Sequence, residues 1–142
     1  MTKRKPDDEI APCLYLRLRV ASKRLLKLYE AHIAESGLSM AQFGLLIAIA
    51  EEPELTMSRL AEKRGLSPST LSRTLRPLEA EGLVETAPDA ANRRVRRVRL
   101  TREGRARMRM AYAGWKIAQA EASALVSPKL VARVLEATAA LA

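Results

Sequence analysis

Residues Ser67 to Gly82, SPSTLSRTLRPLEAEG, decide the fold, because they have the pattern of an amphipathic helix with well-defined ends. Ser67 is a favourable N-cap, Pro68 falls at the first helical position, where its missing N–H costs nothing, and Gly82 supplies the stop. One face is apolar at helical spacing and predicts a narrow buried stripe of Leu71, Leu75 and Leu78. The other faces carry hydroxyls and arginines, which are the groups that contact phosphates and base edges in nucleic acids.

The residues on either side give this helix a context. Before it, Thr56 caps a short helix, MSRLAEKRG, that Gly65 ends, so a short turn joins two helices as in a helix-turn-helix. After it, residues 83–86 and 94–100 are predicted strands, joined by the turn-forming segment APDAANR. A hairpin that directly follows a helix-turn-helix is a wing.

Four more helices are predicted around this unit. One runs from about Pro12 to about residue 35 and ends at Gly37, and the next opens at Ser39 with a capping box and ends before Pro53. A long helix begins after Thr101, and Ser127 with Pro128 starts a last one. The first and the last two helices carry more apolar surface than a small winged module needs, which favours a dimerisation region.

Composition bounds the class of partner. The chain has 142 residues, enough for one domain with a real core, and its 48% hydrophobic but only 4% aromatic residues favour a mostly helical protein. The net charge of +9 and the pI of about 10.3 favour an anionic partner. Residues 93–109 hold nine arginines and one acid, Glu103, so the charge is concentrated around the predicted wing.

Several classes are disfavoured by what the sequence lacks. A single cysteine, Cys13, excludes an internal disulfide, and a single histidine, His32, leaves too few ligands for the usual zinc sites, so no metal or cofactor is expected. No motif assembles a nucleophile, a base and an orienting group, so we do not expect an enzyme. The polar start MTKRKPDDE and the absence of an apolar run of about 18 residues predict a cytoplasmic protein without a membrane association.

The expected fold class is therefore mostly α with a small β-hairpin wing: a winged helix-turn-helix with flanking N- and C-terminal dimerisation helices. The predicted boundaries are a disordered tail over residues 1–11 and a single domain over 12–142. Within the domain, the dimerisation helices cover 12–36 and 102–142, and the winged unit covers 39–101.

In this order of elements the chain resembles the MarR family of bacterial regulators over about residues 12–141. The resemblance rests on LSMAQFGLLIAIAE, on LTMSRLAEKRGLSPSTLSRTLRPLEAEGLV, and on PDAANRR followed by LTREGR. It implies a homodimeric regulator, usually a repressor, bound to a pseudo-palindromic double-stranded DNA operator. The family's wing usually carries Asp-x-Arg, and the aligned residues here are Asn92 and Arg94, so either the wing geometry differs or Asp89 substitutes for the missing acid.

By the family's pattern, the helix at 68–80 is the recognition helix, and Arg73 is the first candidate for a base contact. The full set of expected DNA-binding residues is Thr56, Ser58, Ser67, Ser69, Thr70, Ser72, Arg73, Arg76, Arg93, Arg94 and Arg96. A solvated basic surface is the preferred interpretation of Arg97, Arg99, Arg102 and Arg105. Pro77 predicts a kink or an early end of the recognition helix.

The resemblance also implies a signal, commonly a small aromatic or phenolic acid, an acyl-CoA or an oxidant, that acts through a cleft between the dimerisation helices and the DNA-binding unit. The candidate lining is Arg17, Tyr29, His32, Phe43, Tyr112 and Trp115. The alternative interpretation is that the aromatic residues belong to the core and that His32 is a surface or capping residue. Two alternatives stay open: a regulator that senses organic hydroperoxide through Cys13, and a basic architectural protein that binds nucleic acid without sequence specificity.

Overall fold

The computed structural model describes residues 13–141 and has the predicted order of elements, with six α-helices and one β-hairpin in that range. The tail predicted to be disordered, 1–11, lies outside the described residues. The elements are α1 (Leu14–Ile33) with a 3₁₀ turn (Ala34–Ser36), α2 (Met40–Glu51), α3 (Met57–Arg64), α4 (Pro68–Ala80), β1 (Val84–Pro88), β2 (Arg96–Leu100), α5 (Arg102–Leu125) and α6 (Pro128–Thr138) with a 3₁₀ turn (Ala139–Leu141).

The predicted helix starts are confirmed by their caps. Ser39 and Gln42 form the complete capping box of α2, with both reciprocal bonds present. Thr56 accepts from the N–H of Arg59 at 3.2 Å, and Thr101 accepts from the N–H of Gly104 at 2.9 Å. These bonds satisfy N–H groups that a helix cannot pair internally, which is why α2, α3 and α5 start where the sequence predicts. Helices α1 and α6 have no side-chain cap bond, and α1 starts at Leu14.

The core lies between α2 and the winged unit. Phe43, Leu45 and Leu46 of α2 are fully buried, as the apolar run in that segment predicts. The stripe of α4 packs into the same cluster, and Leu83 and Val98 bring in the hairpin. Helix α4 and the hairpin therefore share one core.

The hairpin differs from its predicted bounds. β1 pairs antiparallel with β2 from Val84 opposite Leu100 to Pro88 opposite Arg96, so β1 starts one residue later and ends two residues later than predicted, and β2 starts two residues later. The cause is the turn, since Asp89 N–H donates to the Val95 carbonyl at 2.8 Å and closes the loop above the ladder. Val95 is thereby a loop residue.

Helices α1 and α5 pack against each other along the flank of the core. A Cβ added at Gly114 of α5 would overlap the carbonyl oxygen of His32, so the two backbones approach closely at this point. Beyond it, His32 Nε2 lies 3.1 Å from a carboxylate oxygen of Glu121, and the Tyr29 hydroxyl donates to Gln119 Oε1.

Much of the apolar surface of α1, α5 and α6 is exposed to solvent in the single chain. On α1, Leu14 and Leu18 are exposed, and on α5 the side chain of Leu125 is 78% exposed. No residue of α6 is buried, although its apolar side chains fall on one face.

Among residues 13–141, no single helix is long and apolar enough to cross a membrane. One bent pair, Leu14–Ser36 with Met40–Glu51 at 69°, passes that test by length and composition alone.

Candidate nucleic-acid interface

Helix α4 presents one polar face to solvent. Ser69, Ser72, Arg73 and Arg76 are exposed on it, while the leucine stripe faces the core and Thr70 is half-buried between the two sides. The helix begins as predicted, with Pro68 at its first turn and the Thr70 N–H donating to the Ser67 hydroxyl at 3.2 Å. A rigid helix therefore carries two guanidinium groups and several hydroxyls outward.

Hydroxyls at the start of α4 bond to one another. Ser67 Oγ lies 3.1 Å from Ser69 Oγ and donates to Thr70 Oγ1 at 2.9 Å. These bonds hold the three hydroxyl oxygens at the N-terminal end of α4, and the N-terminal end of a helix is where a phosphate is favoured.

Pro77 does not end the recognition helix early. The helix continues to Ala80, and the Glu81 N–H donates to the Pro77 carbonyl at 3.0 Å. Pro77 itself is exposed, and the buried side chains of Leu75 and Leu78 on either side anchor this part of the helix to the core. The predicted early end is therefore wrong.

The start of α3 lies beside the hairpin. Thr56, half-buried, forms an isolated antiparallel bridge with Arg97, and Val98 N–H donates to the Leu55 carbonyl at 3.0 Å. Ser58, in the first turn of α3, is exposed. The residues that lead into α3 thus pair with β2 through one isolated bridge beside the two-stranded hairpin.

The wing arginines differ in how they are held. Arg93 and Arg94 are exposed in the loop, and the Arg94 N–H donates to Asn92 Oδ1 at 3.1 Å. Arg96 instead donates to the Thr86 hydroxyl at 2.6 Å, and that hydroxyl donates to Glu79 at 2.7 Å. The side chain of Arg96 is therefore linked to the end of α4, whereas Arg93 and Arg94 project from the loop.

The contacts of Arg97 differ from those of the solvated basic surface that the sequence predicted for it. Its Nε lies 2.6 Å from Asp89 Oδ1, and its Nη1 donates to the Glu54 carbonyl at 2.5 Å and lies 3.1 Å from the Glu54 carboxylate. A solvated surface role is therefore wrong for Arg97, because one guanidinium joins the wing loop to the segment before α3. Arg99, Arg102 and Arg105 are exposed, and Arg99 lies 3.6 Å from Glu54.

Asp89 provides the acid that Asn92 does not. The hydrogen bond donated by Arg97 holds the pKa of the Asp89 carboxyl below its ordinary value, and the same bond raises the pKa of Arg97. Asp89 Oδ2 also accepts from the Asn92 N–H at 3.3 Å. The carboxylate thus holds the first half of the loop and β2 together, but it pairs with Arg97 and not with Arg94.

The expected effector residues do not all line one cleft in the described chain. Phe43 and Tyr112 line one cleft of about 340 Å³ between α2 and α5, with Ile47, Ala50, Glu51, Met108 and Arg109. Arg17 lines a separate groove on α1. Tyr29 and His32 bond to α5, and Trp115 stacks on Tyr112 with ring centroids 5.6 Å apart.

Cys13 directly precedes α1 and is half-buried, and its carbonyl accepts from the Arg17 N–H at 3.1 Å. Its thiol makes no capping bond to the helix. Among the described residues, no three His, Cys, Asp or Glu side chains form a group that could hold a metal ion.

Sequence reasoning missed three residues that organise this surface. Arg97 and Glu54 meet only because β2 folds back along residues 54–56, a pairing across 43 positions that no local pattern encodes. Arg107 joins α5 to the corner before α2, where its Nη1 donates to the Ser36 carbonyl at 3.0 Å. The available signal was Ser36 itself, a polar residue beside Gly37 at the end of an apolar helix.

Comparisons with known proteins agree with this architecture. A model of the MarR family matches residues 36–95. The transcriptional regulator MosR of M. tuberculosis is 30% identical, with 93% of this chain and 97% of that chain covered and a TM-score of 0.78. The structure of MosR in complex with DNA is 32% identical, with 91% of this chain and 96% of that chain covered and a TM-score of 0.80.

Curated relatives match a shorter segment. The HTH-type transcriptional regulator SarZ of Staphylococcus epidermidis is 29% identical over 86 residues, so the match spans 61% of this chain and 58% of SarZ. A mutant of E. coli MarR complexed with operator DNA has the same fold, with a TM-score of 0.82 at 21% identity over 97% of this chain and 99% of that chain. On its family match and its similarity to MosR over nearly the whole length of both chains, the chain belongs to the MarR family of winged helix-turn-helix transcriptional regulators.

Proposed function

We propose that the chain is a homodimeric, sequence-specific repressor that a small ligand releases from its DNA operator. The observation that carries the proposal is the exposed face of α4, where Arg73 and Arg76 stand beside a wing that Asp89 and Arg97 anchor. Such a regulator is not an enzyme, and it acts in the bacterial cytoplasm, where the chromosome lies.

The proposed DNA contacts follow from these positions. The exposed residues of α4 enter a major groove, where an arginine bidentate to guanine discriminates by about 1–3 kcal/mol. The N-termini of α3 and α4 contact phosphates through Thr56, Ser58 and Ser67. Arg93 and Arg94 extend to the adjacent minor groove, which attracts arginine where it is narrow.

A homodimer is supported by the uncovered apolar faces. The exposed leucines of α1 and α5 and the face of α6 would each leave apolar area in water in a monomer, and such contiguous patches mark interaction sites. A twofold dimer gives two copies of α4, and two successive major grooves lie about 34 Å apart on one side of the duplex.

An aromatic carboxylate is the proposed class of effector. The cleft between α2 and α5 is mostly apolar and is lined by the rings of Phe43 and Tyr112. It also carries one cation, Arg109, and one acid, Glu51, which is already paired with Lys63 at 2.8 Å. An arginine pairs well with a carboxylate. The redox alternative rests on Cys13 alone, whose thiol makes no capping bond to α1, so the ligand is the better-supported signal.

The test is selection of bound sequences from random double-stranded DNA, followed by affinity measurements on the selected site and on unrelated duplexes. The proposal expects a pseudo-palindrome bound about 10³-fold or more above random DNA. Arg73→Gln should reduce that ratio, while Arg105→Gln, which removes the same charge from α5, should leave the ratio unchanged. Equal binding to every duplex would instead identify a non-specific basic protein.

The effector is tested separately with benzoate and with phenol, which differ in the carboxylate. Release of the operator by benzoate at lower concentration than by phenol, abolished in Arg109→Gln but kept in Arg17→Gln, would support the cleft. If release of the operator depends on Arg17 instead, the effector-binding site is the groove on α1.

A further inference from the structure

The C-terminal end of α4 is held by the first two turns of α5. The contacting residues are three apart along α5, so they lie on one face of that helix. We call this contact the α4–α5 seam, formed by Glu81, Gly82, Leu83, Thr101, Gly104 and Arg107.

The first half of the seam is hydrogen-bonded and closely packed. The Thr101 hydroxyl donates to the carbonyls of Gly82 at 2.6 Å and Leu83 at 3.1 Å, and the Thr101 N–H also donates to Leu83 at 3.1 Å. A Cβ added at Gly104 would overlap the Leu83 carbonyl oxygen. The backbone that leaves α4 therefore lies directly against α5.

Arg107 extends the seam to the corner between α1 and α2. Its Nη1 donates to the Ser36 carbonyl at 3.0 Å and lies 3.6 Å from a carboxylate oxygen of Glu81. Ser36 is itself rigid, since its buried hydroxyl donates to the Ile33 carbonyl and accepts from the Leu38 N–H. A second acid, Glu103, lies 3.7 Å from Arg107 Nε within the same helix.

We infer that Arg107 and Glu81 are positioning residues that fix the angle of the recognition helix against α5 and thereby set the spacing between operator half-sites. The inference rests on the proposed function, in which α5 belongs to the dimer framework and α4 enters the groove. Helix α4 has 13 residues and is therefore about 20 Å long. A tilt of about 10° at its seam end moves its groove end by about 3.4 Å, which is one base-pair step.

The test measures affinity for the selected operator and for versions with one base pair inserted or removed between the half-sites. The wild-type protein should prefer one spacing. Glu81→Gln should lower that preference up to about fivefold, the range of an exposed ion pair. Arg107→Gln should lower it further, because this variant also removes the bond to Ser36.

Glu103→Gln is the matched control. It also removes one negative charge near Arg107, but Glu103 belongs to α5 itself, so the contact between α4 and α5 stays intact. It should keep the wild-type spacing preference, and thermal unfolding checks that all variants fold. If Glu81→Gln also keeps the wild-type preference, or if Glu103→Gln weakens it as much, the inference is overturned while the proposed function stands. If the wild-type protein has no spacing preference, the two-groove dimer and the inference fail together.

Discussion

Arg97 donates from Nε to Oδ1 of Asp89 across 2.6 Å, and this bond joins β2 to the residue that opens the wing loop. The same guanidinium reaches the Glu54 carbonyl, so loop, strand and the segment before α3 meet at one side chain. The loop that carries Arg93 and Arg94 therefore starts from a fixed base.

The first prediction is that Asp89→Asn weakens the wing's contribution to DNA binding. Without the carboxylate, Arg97 has no anionic partner in the loop, and Arg93 and Arg94 are no longer held near the backbone phosphates. The slope of log affinity against log salt should flatten by about 0.9 for each phosphate that the wing no longer neutralises. Glu85→Gln removes the same charge from the exposed face of β1 and should leave the slope unchanged. Equal slopes in the two variants would contradict the anchoring role.

A second prediction concerns pH. Because the pKa of Asp89 is lowered in the folded chain, its stabilising effect is complete above the unfolded pKa and is lost as pH falls through the lowered folded value. Wing anchoring should therefore be constant between about pH 5 and 8 and decline only in more acidic solution. Amide exchange of the loop, followed by NMR in the free protein, checks this: protection of the Asn92 and Val95 N–H groups should persist at pH 5. Loss of that protection between pH 8 and 5 would assign the anchoring to another group.

The third prediction is that Gly114→Ala destabilises the fold. In an open helix this change is stabilising by about 1 kcal/mol, since alanine has the higher helix propensity. Here the new Cβ would overlap the His32 carbonyl oxygen, which is backbone and cannot rotate away. Overpacking of this kind costs about 1–3 kcal/mol, so the sign should reverse. Denaturant unfolding measures the free energy of unfolding of Gly114→Ala. The control is Ala113→Ser at the neighbouring exposed position, which should change the stability little. A Gly114→Ala variant more stable than the wild type would show that α1 and α5 separate easily.

The features of the fold that depend on local sequence patterns could be predicted. Caps at Ser39, Thr56 and Ser67 specify helix starts through bonds that span three residues, and leucine spacing specifies the buried face of α4. The hairpin ends were less accurate, because strand length depends on how the Asp89 to Val95 loop closes.

The candidate site was predictable in part for the same reason. The exposed face of α4 follows from its own periodicity, so its arginines could be named from the sequence. Arg97 could not be separated from its arginine neighbours, because its role depends on Glu54, which only the folded chain brings to it. The effector residues were drawn from three helices whose relative placement depends on packing, and only Phe43 and Tyr112 share a cleft in the described chain.

The fourth prediction uses the two prolines of α4. Pro77 removes one helical hydrogen bond and stands in an exposed position, so Pro77→Ala should raise the free energy of unfolding by about 1–3 kcal/mol. Pro68 occupies the first turn, where its ring suits the backbone, and Pro68→Ala should give no gain. Thermal unfolding compares them. Equal effects would mean that the Arg73 carbonyl finds another partner in the native helix.

The last prediction concerns the uncovered face of α6. Leu135 is 66% exposed in the single chain, yet it shares its helix face with Leu130, Val131 and Val134, so a partner must remove that face from water if the protein is a dimer. Leu135→Glu places a charge in the proposed interface and should yield a monomer, which light scattering after size exclusion detects. Ala132→Glu adds the same charge on the side of the helix that carries Lys129, Arg133 and Glu136, and it should stay dimeric. The core of the winged unit contains no residue of α6, so the Leu135→Glu monomer should keep its helical circular dichroism. Its affinity for an operator with two half-sites should fall toward its affinity for a single half-site. A dimeric Leu135→Glu variant would exclude this face from the interface.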